Sequence, residues 1–200
     1  MKCAECENRQ CYQGKDCPAL ADETRELYRD DDLRSHAIST AIESRYYGKK
    51  TRLEEVVLYA SAMGYEKIGI AFCIGMANEA AELSRVLGKH FQVHSVCCKV
   101  CGIDKKDLGL ETLHSPKGVE AMCNPMGQAE VLNRENTDLN LMVGLCVGHD
   151  AAFIKSSKAP VSPFIVKDRV LGHNPAVALY SNYYRKAREN MEEMGPQDVK

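Results

Sequence analysis

Apolar residues recur three and four apart between Thr51 and Met63, at Leu53, Val56, Val57, Ala60 and Met63, which makes one stripe of a helix. Thr51-Arg-Leu-Glu54 has the form of a capping box at its start, and Gly64 ends it. The pattern then changes. Lys67-Ile-Gly-Ile-Ala-Phe72 is a short continuous apolar run, predicting a buried strand. Ala77–Leu87 reads as a helix closed by Gly88, and Phe91–Val96 as a second strand. A loop-rich stretch from about Lys99 to Met122 is long enough to suggest a functional insertion. Beyond it come a helix over Pro125–Arg134, a strand over Leu139–Leu145, a short helix over Asp150–Ser156 and a strand over Val161–Val166. Pro175–Met194 and the charged stretch Asp22–Tyr47 read as helical.

Strands alternating with helices predict an α/β fold: a doubly wound, Rossmann- or flavodoxin-like, mainly parallel sheet of four or more strands. The expected organisation is a small cysteine knuckle over residues 1–20, a helical segment over 21–64 and the α/β domain over 65–200. The segment MKCAECENRQCYQGKDCPAL has almost no aliphatic residues, so it cannot build a core of its own. It does hold Cys3, Cys6, Cys11 and Cys17, spaced C-x2-C-x4-C-x5-C. Four thiolates this close can wrap one tetrahedral ion, whose bonds would supply the missing folding energy. Zinc is the favoured ion. An iron–sulfur cluster is the alternative, since Cys17 is followed by Pro18 as in ferredoxin motifs.

Composition narrows the class. The 200 residues carry 26 Lys+Arg against 28 Asp+Glu, a net charge of −2, which argues against a basic nucleic-acid binder. No apolar run approaches membrane-span length, and the N-terminus does not read as a secretory signal, so a cytoplasmic protein is expected. In that compartment ten cysteines point to metal or redox chemistry rather than to disulfides.

The other six cysteines fall beside predicted strand ends. Cys73 follows the first strand, Cys97, Cys98 and Cys101 the second, and Cys146 the third, while Cys123 opens the helix leading into the third. Ligands of open parallel sheets bind outside the carboxyl ends of the strands. Cys73, Cys98, Cys123 and Cys146 are therefore expected to form a second metal or redox site, with His149 and His173 at its rim. Cys98 is chosen over its neighbour because it lies farther past the strand. Cys123-Asn-Pro and His173-Asn-Pro each read as an asparagine N-cap followed by proline at the first helical position. In the absence of metal, Cys123 at its helix start is expected to be the most reactive thiol. Lys155, Lys158, Lys167 and Arg169 read as a solvated basic face.

The stretches KIGIAFCIGM, VHSVCCKVCGI, CNPMGQAEVLN, LMVGLCVGHDAAFIK and APVSPFIVKDRVLGHNPAVALY resemble the family catalogued as domain of unknown function 1847. The resemblance covers nearly the whole chain and implies metal binding without a reaction. Three functions compete: a metal-binding protein, an iron–sulfur enzyme of redox or sulfur chemistry, and an adaptor using the knuckle alone. The charge balance and only four phenylalanines weaken the last.

Overall fold

The computed structural model describes residues 1–113, 118–184 and 194–199. The chain forms two compact units, Met1–Met63 and Gly64–Lys200.

In the first unit the opening twenty residues are all exposed and hold only two short 3-10 turns, Cys3–Glu5 and Gln10–Gln13. Three helices follow: α1 (Ala21–Arg25), α2 (Asp30–Tyr46) and α3 (Arg52–Met63). The capping box forms at α3: the Thr51 amide donates to Glu54 Oε2 at 2.9 Å, and the Glu54 amide to Thr51 Oγ1 at 3.4 Å. Ser35 and Tyr59 share a 2.7 Å hydrogen bond, and Arg34 donates to the Ala62 carbonyl at 3.2 Å, tying α2 to α3.

The second unit is a doubly wound α/β fold. Its strands β1 (Lys67–Phe72), β2 (Gln92–Cys97), β3 (Leu139–Val143) and β4 (Val161–Ile165) are all parallel, in the order β2-β1-β3-β4. The crossovers are α4 (Ala77–Leu87), α5 (Pro125–Glu135) and α6 (Val147–Ser156). Right-handed crossovers in this order put α4 on one face and α5 with α6 on the other. In agreement, α4 and α5 both contact β1 and β2, and α5 lies beside α6. Ile68, Ile70, Leu141, Val143, Leu132, Leu87 and Phe153 are fully buried between sheet and helices. Every residue of β3 is buried, as a strand covered on both faces requires.

The chain order reverses between β1 and β3, because β1 is followed outward by β2 on one side while β3 and β4 extend the other. The carboxyl ends of β1 and β3 therefore bound the crevice where such sheets take ligands.

The described part of the C-terminal tail is only partly helical. Only one turn, α7 (Val177–Tyr180), and a 3-10 turn at Asn182–Tyr184 are present before residues 185–193, which lie outside the described residues. Helix α7 stops because Ser181 turns to an extended conformation. Among the described residues no helix is long and apolar enough to cross a membrane.

Candidate thiol site at the sheet switch point

Cys73 lies one residue past β1, and its amide still donates to the Val143 carbonyl of β3 at 3.1 Å. Cys98 lies one residue past β2, its amide donating to the Phe72 carbonyl at 2.8 Å. The pairing of Phe72 with Cys97, continued by one step, sets Cys73 beside Cys98 on the α5 face of the sheet. The Ile74 amide donates to Cys98 Sγ at 3.4 Å, and the Cys98 thiol lies near enough to Cys73 to help lower its pKa. Both thiols are buried, Cys73 at 9% exposure and Cys98 at 2%.

Helix α5 supports this corner from behind. Fully buried Gln128 donates through Nε2 to the Val96 carbonyl at 2.7 Å and the Phe72 carbonyl at 3.1 Å, joining the ends of β1 and β2. Asn124 caps α5, accepting from the Gly127 amide at 2.8 Å. A Cβ on Gly127 would collide with the Asn124 side chain, so glycine is what lets the cap close. Asn124→Ala is expected to lower stability by about 1 kcal/mol in urea unfolding. An unchanged midpoint would show that the cap contributes nothing.

Residues 99–122 leave the sheet and return. An isolated antiparallel bridge between Asp104 and Ala121 closes their base, together with Met122 N–H to Ile103 O at 2.8 Å and Lys105 N–H to Glu120 O at 3.0 Å. The Asn124 amide then donates to the Cys98 carbonyl at 2.8 Å, which brings Cys123 back to the end of β2. Lys99 donates to the Ala121 carbonyl at 2.7 Å and to Cys123 Sγ at 3.5 Å.

Cys146 precedes α6, and Arg169 donates to its Sγ at 3.1 Å. The loop after β4 supplies both Arg169 and Lys167, and the Lys167 ammonium, beside Gly75 and Gly144, lies near enough to Cys73 to favour its thiolate. This loop is turned by Asp168, whose Oδ1 accepts from the Val170 and Leu171 amides at 2.9 and 2.8 Å. Gly144, at φ +61°, leaves the space in which Met76 and Lys167 lie; a Cβ there would sit 2.8 Å from Met76 Cγ.

Three of the four thiols thus have a cation each: Lys167 at Cys73, Lys99 at Cys123 and Arg169 at Cys146. Burial alone would push the Cys73 thiol up. The Lys167 ammonium, the Gly75 amide and the Cys98 thiol outweigh it, and Cys73 is held below the ordinary thiol value. Cys98 has no such cation. Burial, with the neighbouring Cys123, Cys73 and Cys97, pushes it up to about 12 against the Ile74 amide. Burial, helped by Lys99 and Arg169, lowers His149 below its usual range, so it is neutral at pH 7. Asp150 is raised by burial, with Lys167 opposing.

The remaining sequence candidates are placed differently. Cys97 ends β2 and is partly exposed, and Cys101 is exposed at φ +70°. His173 does not precede a helix start: α7 begins four residues later, and His173 Nδ1 accepts from the Asp168 amide at 3.2 Å. Lys167 and Arg169, read as a solvated face, lie beside thiols, Arg169 while exposed. The thiol that Lys167 draws down in pKa is Cys73, at the switch point of the sheet. Sequence reasoning passed over Lys99 and Gln128. For Lys99 a signal was present, since it stands between cysteines in Cys97-Cys-Lys-Val-Cys101.

Cys3, Cys6, Cys11 and Cys17 are all exposed. Cys6 Sγ donates to Asn8 Oδ1 at 3.5 Å and Cys11 Sγ to the Arg9 carbonyl at 3.8 Å. Among the described residues no three His, Cys, Asp or Glu side chains are gathered as a metal shell would gather them.

Comparison with known proteins places the chain among relatives. It is 54% identical over 188 residues to Uncharacterized protein MJ0455 of Methanocaldococcus jannaschii, covering 93% of this chain and 97% of that one. No solved structure matches it. Residues 12–164 match the family described as protein of unknown function DUF1847, so both the match and the relative say the same thing: the chain belongs to the DUF1847 family.

Proposed function

We propose that this is a metal-binding thiol protein with two cysteine sites of different kinds. The sheet-edge site, built from Cys73, Cys98, Cys123 and Cys146 with His149 beside it, is a redox thiol centre. The observation that carries this reading is the matching of three sheet-edge thiols to three cations. Cations lower the cost of thiolate, and thiolate is the form that attacks electrophiles. The N-terminal Cys3, Cys6, Cys11 and Cys17 take one zinc ion. Their donor set suits a tetrahedral soft ion, and their segment buries nothing that could hold it folded. Since two of these thiols bond locally to Asn8 and Arg9, gathering the four sulfurs accompanies metal uptake.

Metal analysis of the full chain, purified without oxygen, tests the assignment. About one zinc per chain is expected, lost in Cys6→Ser/Cys17→Ser and retained in Cys98→Ser/Cys123→Ser. Unchanged zinc in the first variant would refute the N-terminal site. Brown colour with visible absorption would replace zinc by an iron–sulfur cluster, and the variant that loses the colour would locate it.

A further inference from the structure

We infer that Cys73 and Cys98 form a redox dithiol that a small hydroperoxide oxidises to a disulfide bridging the carboxyl ends of β1 and β2. This rests on the sheet-edge site being a thiol centre and names its reacting pair and its oxidant.

The geometry comes from the sheet. Cys98 donates its amide to the Phe72 carbonyl, so the two cysteines are still in register where β1 and β2 end. Neighbouring strands lie about 4.8 Å apart, inside the roughly 4.4–6.8 Å range of Cα separations that disulfides span. Register partners in a parallel pair point to the same face, and the Ile74 amide, next in the chain to Cys73, donates to Cys98 Sγ at 3.4 Å. Neither residue is locked inside a long helix: a three-residue turn, Ile74–Met76, follows Cys73, and another, Val100–Gly102, begins two residues after Cys98.

The two thiols have different surroundings, which assigns their order. Lys167 reaches Cys73 from the loop after β4, whereas Cys98 is more deeply buried and receives only the Ile74 amide. Cys73 is therefore the attacking sulfur and Cys98 the resolving one. At 9% and 2% exposure the pair admits only a compact oxidant, which selects a hydroperoxide over a bulky disulfide.

In the first step the Cys73 sulfur attacks the terminal peroxide oxygen. The O–O bond breaks, its electron pair leaves on hydroxide or alkoxide, and solvent supplies the proton that makes water or alcohol. Cys73 is now a sulfenic acid. In the second step Cys98 attacks the Cys73 sulfur, the S–O bond breaks, and hydroxide leaves with the Cys98 proton as water. Two thiols have lost two electrons and the peroxide has gained them. A dithiol reductant restores the pair by exchange.

The test uses the full-length protein, fully reduced and then given one equivalent of hydrogen peroxide. Remaining thiols are alkylated and the peptides mapped by mass. The expected result is a Cys73–Cys98 cross-linked peptide that dithiothreitol reverses. In Cys98→Ser the reaction stops at Cys73 sulfenic acid, captured as an adduct by a 1,3-dione, and in Cys73→Ser the cross-link is lost. Both cysteines alkylated after peroxide, or Cys73 linked to another cysteine in the wild-type chain, would overturn the proposal. The wild-type map decides even where a variant fails to fold. Zinc measured in the same samples separates the two readings: a zinc-loaded chain without the link refutes the dithiol alone, and a zinc-free chain with the link refutes the N-terminal metal alone.

Discussion

Replacing Lys167 with methionine is expected to slow alkylation of Cys73 near pH 7 by about ten- to a hundredfold. Burial works against a Cys73 thiolate, and the Lys167 contact and charge are the chief forces opposing burial. Methionine keeps the length of the side chain and removes only the ammonium, so burial then dominates and the thiol pKa rises. Below its pKa a thiol loses tenfold in thiolate for each unit of rise. In the wild type, Cys73 reactivity should persist to lower pH than an ordinary thiol's and fall as pH drops through its lowered pKa. In Lys167→Met the same fall should occur at higher pH. The linkage has the same sign: the Cys73–Lys167 pair contributes stability above the unfolded thiol's pKa, lost as pH falls through the folded one. Cys98, pushed up to about 12, should be alkylated far more slowly than Cys73 in the native protein. A time course with iodoacetamide and peptide mapping measures both. Equal Cys73 rates in the two proteins across neutral pH would show that Lys167 does not set its reactivity.

The parts of this site that the sequence made legible are those governed by local pattern. The bounds of β1 and α4 coincide with the apolar run and the helical stripe that predict them, because Gly88 and the residues around Cys73 interrupt both patterns sharply. A thiol immediately after a buried parallel strand must lie at the carboxyl edge of the sheet, and this places Cys73 and Cys98 there. The strand period turns Cys97 and Cys98 to opposite faces but does not say which of them meets Cys73. What stayed hidden depends on contacts distant in sequence. Lys167 and Arg169 follow β4 in a polar stretch whose composition is that of any solvated loop. They reach thiols 94 and 23 residues away only because Asp168 turns that loop back over the sheet edge. Cys123 arrives beside Lys99 through the Asp104–Ala121 bridge, which no periodicity announces. The described part of the tail, up to Tyr184, was only partly legible. Its composition favours helix, yet Ser181 turns extended after one turn, an outcome that local propensity does not decide.

Gly69→Ala is expected to destabilise the α/β unit by about 2–4 kcal/mol, a large share of the total for a domain of ordinary stability. Gly69 lies in the middle of β1, and a Cβ there would overlap Asn140 Oδ1 and press on Leu132 Cδ1 at 3.0 Å. Neither neighbour has room to yield. Leu132 is fully buried in α5, and Asn140 is a fully buried amide on β3. Its Oδ1 accepts from Thr137 Oγ1 at 2.8 Å, and its Nδ2 donates to Ser157 Oγ at 2.8 Å. Ser157 passes its own proton to the Ala159 carbonyl at 2.8 Å, so the chain of bonds joins the start of β3 to the end of α6. A methyl group at position 69 must either swing Asn140 out of this chain, leaving a buried amide unsatisfied, or part β1 from β3. The second route would also move Cys73, just past the end of the same strand, away from the Val143 carbonyl that holds it. Asn140→Ala alone should cost about 1–3 kcal/mol for the lost bonds. Combined with Gly69→Ala it removes the colliding oxygen, so the double variant should be more stable than the sum of the single losses predicts. Urea unfolding of the four proteins closes the cycle. Strict additivity, or a Gly69→Ala protein as stable as the wild type, would show that the amide does not fill the space the glycine leaves.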